Sequence, residues 1–72
     1  DPAEMPAVGT PEPGGLRWRE FFSIFKQVAE QTEVVGLDIM ELCPMPGQER
    51  ADFYAAKLIY KMLGFLRRAG QL

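Results

Sequence analysis

The chain has 72 residues, of which 47% are hydrophobic, 25% charged and 11% aromatic, a composition typical of a folded polypeptide near the lower size limit of a domain. A formal net charge of −2 argues against a nucleic-acid or membrane-surface partner. One cysteine excludes an internal disulfide, and the lack of histidine argues against a zinc finger or a histidine-based catalytic dyad. Because the first residue is Asp1 rather than methionine, we expect the chain to be part of a longer protein.

Residues 1–16 are predicted to form a loop. They contain four of the six prolines and three of the seven glycines, and each proline removes a backbone donor and disfavours a helix at the residue before it. This composition is typical of a flexible linker. Met5, Val8 and the pair Gly14 and Gly15 indicate instead an ordered loop that lies on a surface. Both interpretations stay open from the residues alone.

Residues 17–31 have the period of an amphipathic helix, with apolar side chains at spacings of three and four. The apolar stripe consists of Trp18, Phe21, Phe22, Phe25, Val28 and Ala29. Such a stripe is by default a packing face and only rarely a ligand site. Glu20 stands where a capping box needs its acidic residue, but Arg17 occupies the cap position in place of Ser or Thr. The cap is therefore expected to be weak, at a cost of up to about 1 kcal/mol.

Residues 34–42 are predicted to form a short strand that is apolar on both alternating sets of side chains. A strand of this kind belongs in the middle of a parallel sheet that helices cover on both sides. The chain offers no second strand, so the pattern predicts sheet partners outside these residues. The predicted fold class is α/β, with this chain as a loop, helix, strand and helix of a larger sheet.

A loop over residues 43–50 and a second helix over residues 51–69 complete the prediction. The helix carries an apolar stripe and, beyond Asp52, only basic charged residues. These basic residues are Lys57, Lys61, Arg67 and Arg68. An anionic partner is one explanation for them, but a solvated helix face with cations near its carboxyl end explains them without one.

Chemistry-bearing residues are few. Ser23 has no histidine base, and Cys43 has no partner at metal-ligand spacing. Glu41 attracts a functional interpretation because ligands of open α/β sheets bind outside the carboxyl ends of the strands. Its carboxylate could be a cap or a salt-bridge partner, which is the default for such a residue. It could also receive a planar guanidinium in a charge-assisted, bidentate pair.

Two motifs at the right separation resemble one known family. Residues 1–20, DPAEMPAVGTPEPGGLRWRE, and residues 34–42, VVGLDIMEL, are similar to the C-terminal part of the ureohydrolases, the arginases and agmatinases. The GTPEPGG stretch and the glutamate at the strand end resemble agmatinase-type members more than animal arginases. The similarity extends over nearly the whole chain, although Arg17 stands where the family usually has Thr or Ser.

The resemblance implies a three-layer α/β/α ureohydrolase fold in which the whole chain is the C-terminal piece of a single domain. It also implies a cofactor of two Mn²⁺ ions that activate a hydroxide for attack on the guanidinium carbon. The family's metal-binding D-x-D-x-x-D-P motif ends on residues that match Asp1 and Pro2, so its ligands would lie five and three residues upstream of Asp1. None of the metal ligands is therefore expected within these 72 residues.

The same resemblance implies roles for three residues. Glu41 matches the glutamate that receives the substrate guanidinium, and Thr10, in the active-site loop 1–16, matches the threonine beside it. Both are predicted to bind substrate. Asp38 matches an aspartate of the strand and is expected to be structural. No catalytic residue is predicted within the chain.

The expected function is that of a manganese-dependent amidinohydrolase that converts a guanidino compound to an amine and urea. Agmatine is the first candidate for this substrate. Alternatives are an arginase or another guanidino-acid ureohydrolase, and a non-catalytic piece that serves only structure or interaction. The resemblance also implies a small guanidino substrate as partner, no nucleic acid and no membrane, a trimeric or hexameric homo-oligomer, and a cytoplasmic location.

Overall fold

The computed structural model describes residues 1–72 and contains two α-helices, α1 (Trp18–Gln31) and α2 (Glu49–Arg68). The first begins one residue later than predicted. The second begins two residues earlier than predicted. Its first turn contains Glu49 and Asp52, whose negative charges interact favourably with the helix dipole. Gly70, at φ 81°, follows the last turn of α2, as expected for a glycine that ends a helix. Neither helix has the combination of length and apolar character that a membrane crossing requires.

The two helices pack against each other and run in the same direction. Trp18 and Tyr54, near the two helix starts, have ring centroids 4.8 Å apart, while near the two ends the Gln71 side chain donates to the Ala29 carbonyl oxygen at 2.6 Å. The buried cluster between them consists of Phe22, Phe25, Ala29, Met62 and Leu66. Phe65 extends this cluster by stacking on Phe22 at 5.4 Å. The predicted apolar stripes therefore form the contact between the helices.

The structure does not contain the strand predicted over residues 34–42. This segment is irregular, and residues 35–42 form no backbone hydrogen bond with any other part of the chain. Val34 and Ile39 pack against the helical core, whereas Val35 is 94% exposed. A strand exists only as part of a ladder, and this chain has no second strand to accept and donate its hydrogen bonds. Two helices without a sheet are the result.

The proline-rich loop 1–16 is ordered and closed at its base by Asp1. The Asp1 carboxylate accepts hydrogen bonds from the Ala3 and Gly14 amides at 2.9 and 3.1 Å, and the Asp1 nitrogen donates to the Leu16 carbonyl oxygen at 2.7 Å. A Cβ atom at Gly15 would lie 2.9 Å from that nitrogen, so only glycine fits this approach. Of the two interpretations that the sequence allows, the ordered loop agrees with the structure.

The start of α1 is held by two carboxylates and not by a cap from Arg17. The Arg17 guanidinium carries only donors, and its side chain makes no capping hydrogen bond. Instead, Glu20 accepts from the Arg17 amide at 2.9 Å, and Glu4 of the loop accepts from the Trp18 amide at 2.7 Å. The expectation of a weak cap misses this second carboxylate because the loop supplies it from 14 residues away.

Glu4 also contacts α2. The Tyr54 hydroxyl donates to the same Glu4 oxygen at 3.3 Å. Burial raises the pKa of the Tyr54 phenol, and the negative charge and hydrogen bond of Glu4 raise it further. Tyr54 therefore keeps its proton at neutral pH. The stabilisation from this contact is present below about pH 10 and is lost as the pH rises through the raised pKa.

Candidate functional site

Glu41 occupies a strained backbone position on the surface of the chain. Its φ of 74° makes it the only non-glycine residue with a positive φ, and its side chain is exposed. A left-handed conformation at a residue with a long side chain costs on the order of 1–3 kcal/mol, and such strain is concentrated at functional sites. Glu41 forms neither an ion pair nor a hydrogen bond with any other residue. Its carboxylate is therefore free for a partner from outside the chain.

The loop 1–16 reaches Glu41 through Ala7. This residue is fully buried, and its carbonyl oxygen accepts a hydrogen bond from the Cys43 amide at 2.8 Å. Gly9 lies two residues after Ala7, and Glu41 lies two residues before Cys43; a Cβ atom added to Gly9 would be 3.2 Å from Glu41 Oε2. The absence of a side chain at Gly9 thus leaves the space in which the Glu41 carboxylate lies.

Thr10 follows Gly9 directly, so the structure brings the turn that carries Thr10 to the side of Glu41. Thr10 is exposed and makes no hydrogen bond to the carboxylate. Asp38 is also exposed and has no ion-pair partner, which gives the structural role expected for it no support within this chain. The Gly9–Thr10 turn therefore lies beside Glu41, whereas Asp38 makes no hydrogen bond or ion pair with either predicted residue.

The surroundings of Glu41 are open. Two grooves of the surface lie elsewhere, one of about 560 Å³ at the carboxyl ends of the two helices and another of about 300 Å³ along α2. A binding pocket that encloses a ligand at Glu41 therefore needs walls in addition to the surface of these 72 residues. Within the chain, Glu41, Gly9 and Thr10 form one exposed wall, the Glu41 wall.

Other nucleophiles and metal ligands do not gather at this wall. Cys43 is exposed and unpaired, and no three side chains of His, Cys, Asp or Glu lie close enough together to hold a metal ion. The chemistry available at the Glu41 wall is thus recognition of a cation by a carboxylate and, beside it, a hydroxyl. A planar guanidinium fits that combination because a carboxylate accepts two of its parallel N–H groups.

Ala7 and Gly9, which shape this wall, and Glu4, which anchors the same loop, were not identified from the sequence as site residues. A close approach of the backbone to a ligand or carboxylate is a known reason for glycine, so Gly9 carried a usable signal. Ala7 and Glu4 did not, because their partners lie 36 and 50 residues away in the sequence. Only the folded arrangement brings these groups together.

Comparison with known proteins gives a consistent set of relatives. The family model described as "Arginase family" matches residues 1–64. An N(1)-aminopropylagmatine ureohydrolase from Synechocystis sp. is 48% identical over 65 residues, which are 90% of this chain and 21% of that protein. An arginase from Schizosaccharomyces pombe is 47% identical over 49 residues, which are 68% of this chain and 15% of that protein. An agmatinase from Pyrococcus horikoshii is 34% identical over 64 residues, which are 89% of this chain and 23% of that protein.

The chain therefore spans less than a quarter of the length of these three relatives. No solved structure matches it.

Proposed function

The chain belongs to the arginase family, and on that premise we propose that it supplies a substrate-binding wall to an amidinohydrolase that releases urea from a guanidino compound, agmatine first. The observation that carries this proposal is the unpaired, exposed Glu41 carboxylate, which a strained backbone holds beside Gly9 and Thr10. Nothing in the chain uses that carboxylate, and a guanidinium is the cation whose shape matches it best.

In the proposed role, Glu41 binds and orients the guanidinium. Two of its N–H groups point at the two carboxylate oxygens, which fixes the plane of the cation and the direction of its central carbon. Holding a reactant in one orientation removes much of the entropy cost of the reaction. Thr10 adds a hydroxyl beside the carboxylate, so it supplements the orientation without carrying the charge.

Manganese belongs to the proposal only for the full-length protein. The residues present here do not form a ligand set, since there is no histidine and no cluster of three ligand-type side chains. We assign the two Mn²⁺ ions to residues outside these 72 positions. This chain contributes the position of the substrate cation. That the full-length protein forms a trimeric or hexameric homo-oligomer stays a prediction.

A second substrate is favoured by a specific observation. The Synechocystis relative, with 48% identity, carries the name N(1)-aminopropylagmatine ureohydrolase. Agmatine and its N(1)-aminopropyl derivative share one guanidino group, so Glu41 would hold both in the same way. Any difference between the two substrates arises at their other ends.

The test is urea release by the full-length protein with Mn²⁺ present, on agmatine, N(1)-aminopropylagmatine and arginine in parallel. We expect agmatine or its aminopropyl derivative to have the highest kcat/KM, with arginine lower by at least about tenfold, which corresponds to roughly 1.4 kcal/mol of discrimination. Arginine as the best substrate would support an arginase instead. Release of no urea from any of the three would refute the proposal.

A further inference from the structure

Glu4 joins three parts of the molecule: the loop 1–16, the start of α1 and the start of α2. Its carboxylate accepts a hydrogen bond from the Trp18 amide at 2.7 Å and another from the Tyr54 hydroxyl at 3.3 Å, and the Arg17 guanidinium lies 3.9 Å away. The Glu4 side chain is 28% exposed, so these bonds are partly shielded from water. One carboxylate of the loop thus connects the first turn of α1 to the first turns of α2.

The position of Glu4 along the loop links it to the Glu41 wall. The base of the loop is closed at Asp1, and the far side is held where the Ala7 carbonyl accepts from the Cys43 amide at 2.8 Å. Glu4 lies between these two attachments, three residues before Ala7 and five before Gly9. Without Glu4, the segment from Pro2 to Pro6 would have no side-chain hydrogen bond to either helix, and the loop would keep only its closure at Asp1 and the bond between Ala7 and Cys43.

The energetic role of Glu4 exceeds that of a surface ion pair. Its contact with Arg17 is long and the Arg17 side chain is 58% exposed, so that pair contributes little. The bond from the Trp18 amide is short, charge-assisted and directed at the positive end of the helix dipole of α1. The Tyr54 hydroxyl, 3.3 Å from the same oxygen, adds a longer and weaker contact to α2.

We propose that Glu4 is a positioning residue for the substrate-binding wall: by bridging α1 and α2 it fixes the loop whose Gly9–Thr10 turn lies against Glu41. The inference rests on the proposed function for its effect on activity, but the attachment of the loop by Glu4 rests only on hydrogen bonds between these residues. Two measurements test the attachment of the loop and the effect on activity separately.

The first measurement concerns the loop alone. In the full-length protein, Glu4→Ala is compared with wild type by hydrogen–deuterium exchange of peptides that cover residues 1–16 and 42–45. We expect exchange to accelerate by about tenfold or more in these peptides and to stay unchanged in the second half of α2, because only the loop loses its attachment. Glu4→Gln retains an acceptor for the Trp18 amide and should exchange nearly as slowly as wild type. Unchanged loop exchange in Glu4→Ala overturns the proposal.

The matched control is Glu30→Ala. Glu30 is also a glutamate, with a single ion pair to Lys26 at 3.9 Å and no hydrogen bond or ion pair with the loop. Its removal should leave exchange in residues 1–16 unchanged. If it accelerates that exchange as much as Glu4→Ala does, the effect is a general loss of stability and the positioning role is refuted.

The second measurement concerns activity and uses a double-mutant cycle with Thr10→Ala, at a temperature where every variant is folded. Glu4→Ala should lower kcat/KM by about tenfold in the wild-type background, mainly through a higher KM, and by about threefold or less when Thr10 is already Ala. Glu4→Gln should restore most of the activity. Equal losses in both backgrounds indicate a merely structural role and overturn the positioning assignment.

The two failures are distinguishable. If wild type releases no urea while loop exchange responds to Glu4→Ala as expected, the proposed function fails and the fixed loop stands. If wild type is active and the loop exchange does not respond, the proposed function stands and the positioning role of Glu4 fails.

Discussion

Replacement of Glu41 by Gln in the full-length protein is expected to lower kcat/KM for agmatine by about 30- to 1,000-fold, with the metal ions still bound. Glutamine keeps the length and shape of the side chain but removes its negative charge, and it presents an NH₂ group to one N–H of the guanidinium. A charge-assisted pair shielded from water in the complete pocket accounts for roughly 2–4 kcal/mol of transition-state stabilisation. Metal content and urea release measured on the same preparation check the prediction.

Asp38→Asn is the matched control for this prediction. Asp38 is an exposed carboxylate three residues away on the same segment, and it has no ion-pair partner. Its neutralisation should lower kcat/KM much less than Glu41→Gln does, because Asp38 makes no hydrogen bond or ion pair with the Glu41 wall. The loss of kcat/KM in Thr10→Ala should lie between the losses in Asp38→Asn and Glu41→Gln, because a hydroxyl only supplements the carboxylate.

The thermal stability of Glu41→Gln distinguishes the substrate anchor from a structural salt bridge. Glu41 has no ion-pair partner within the chain, so its neutralisation is expected to leave the melting temperature within a few degrees of wild type. If Glu41 instead forms a structural salt bridge to another part of the full-length protein, its neutralisation should lower the melting temperature and leave kcat/KM nearly normal. Near-normal kcat/KM together with a clearly lowered melting temperature would refute the assignment of Glu41 to substrate binding.

The isolated 72-residue chain is expected to be at most partly ordered in solution. Only eight of its 72 residues are buried, and residues 35–42 leave their backbone groups without partners in the chain. Apolar side chains that a stable domain would cover are open to water, among them Val35 at 94%, Met40 at 73% and Phe53 at 71% exposure. A core of this size rarely offsets the conformational entropy lost on folding.

Amide NMR spectra and thermal circular dichroism of the isolated chain, at low concentration, check this expectation. Poorly dispersed amide signals and a broad, shallow loss of helicity on heating are the expected results. The full-length protein, in which we expect other segments to cover Val35 and Met40, is the control and should melt cooperatively. Sharp, dispersed signals with one cooperative transition for the isolated chain would contradict the prediction.

The helices were predictable from the sequence because their signal is local. Apolar residues such as Phe22, Phe25 and Met62 recur at helical spacing, and they are the residues that the structure buries. The strand over 34–42 was not realised because strand formation depends on pairing with distant residues, which no local pattern can provide. Membership of the arginase family implies an α/β fold for the full-length protein, whereas these residues alone form two helices.

The candidate site was predictable only in part. Glu41 and Thr10 could be named because both lie in motifs that resemble those of the ureohydrolases. The strained φ of Glu41, at 74°, carries no sequence signal, since glutamate is not a residue that usually adopts it. Glu4 was missed for a different reason. Its bonds to Trp18 and Tyr54 span 14 and 50 residues, and a glutamate in a proline-rich loop looks like an ordinary solvated charge.

The most direct test of the central claim is a crystal structure of the full-length, metal-loaded protein with a non-hydrolysable agmatine analogue that retains the guanidinium. We predict that two guanidinium nitrogens lie about 2.7–2.9 Å from the two Glu41 carboxylate oxygens, in a bidentate pair, with the Gly9–Thr10 turn alongside. A guanidinium bound to a different carboxylate, with Glu41 engaged by a cationic side chain of the protein, would contradict the account.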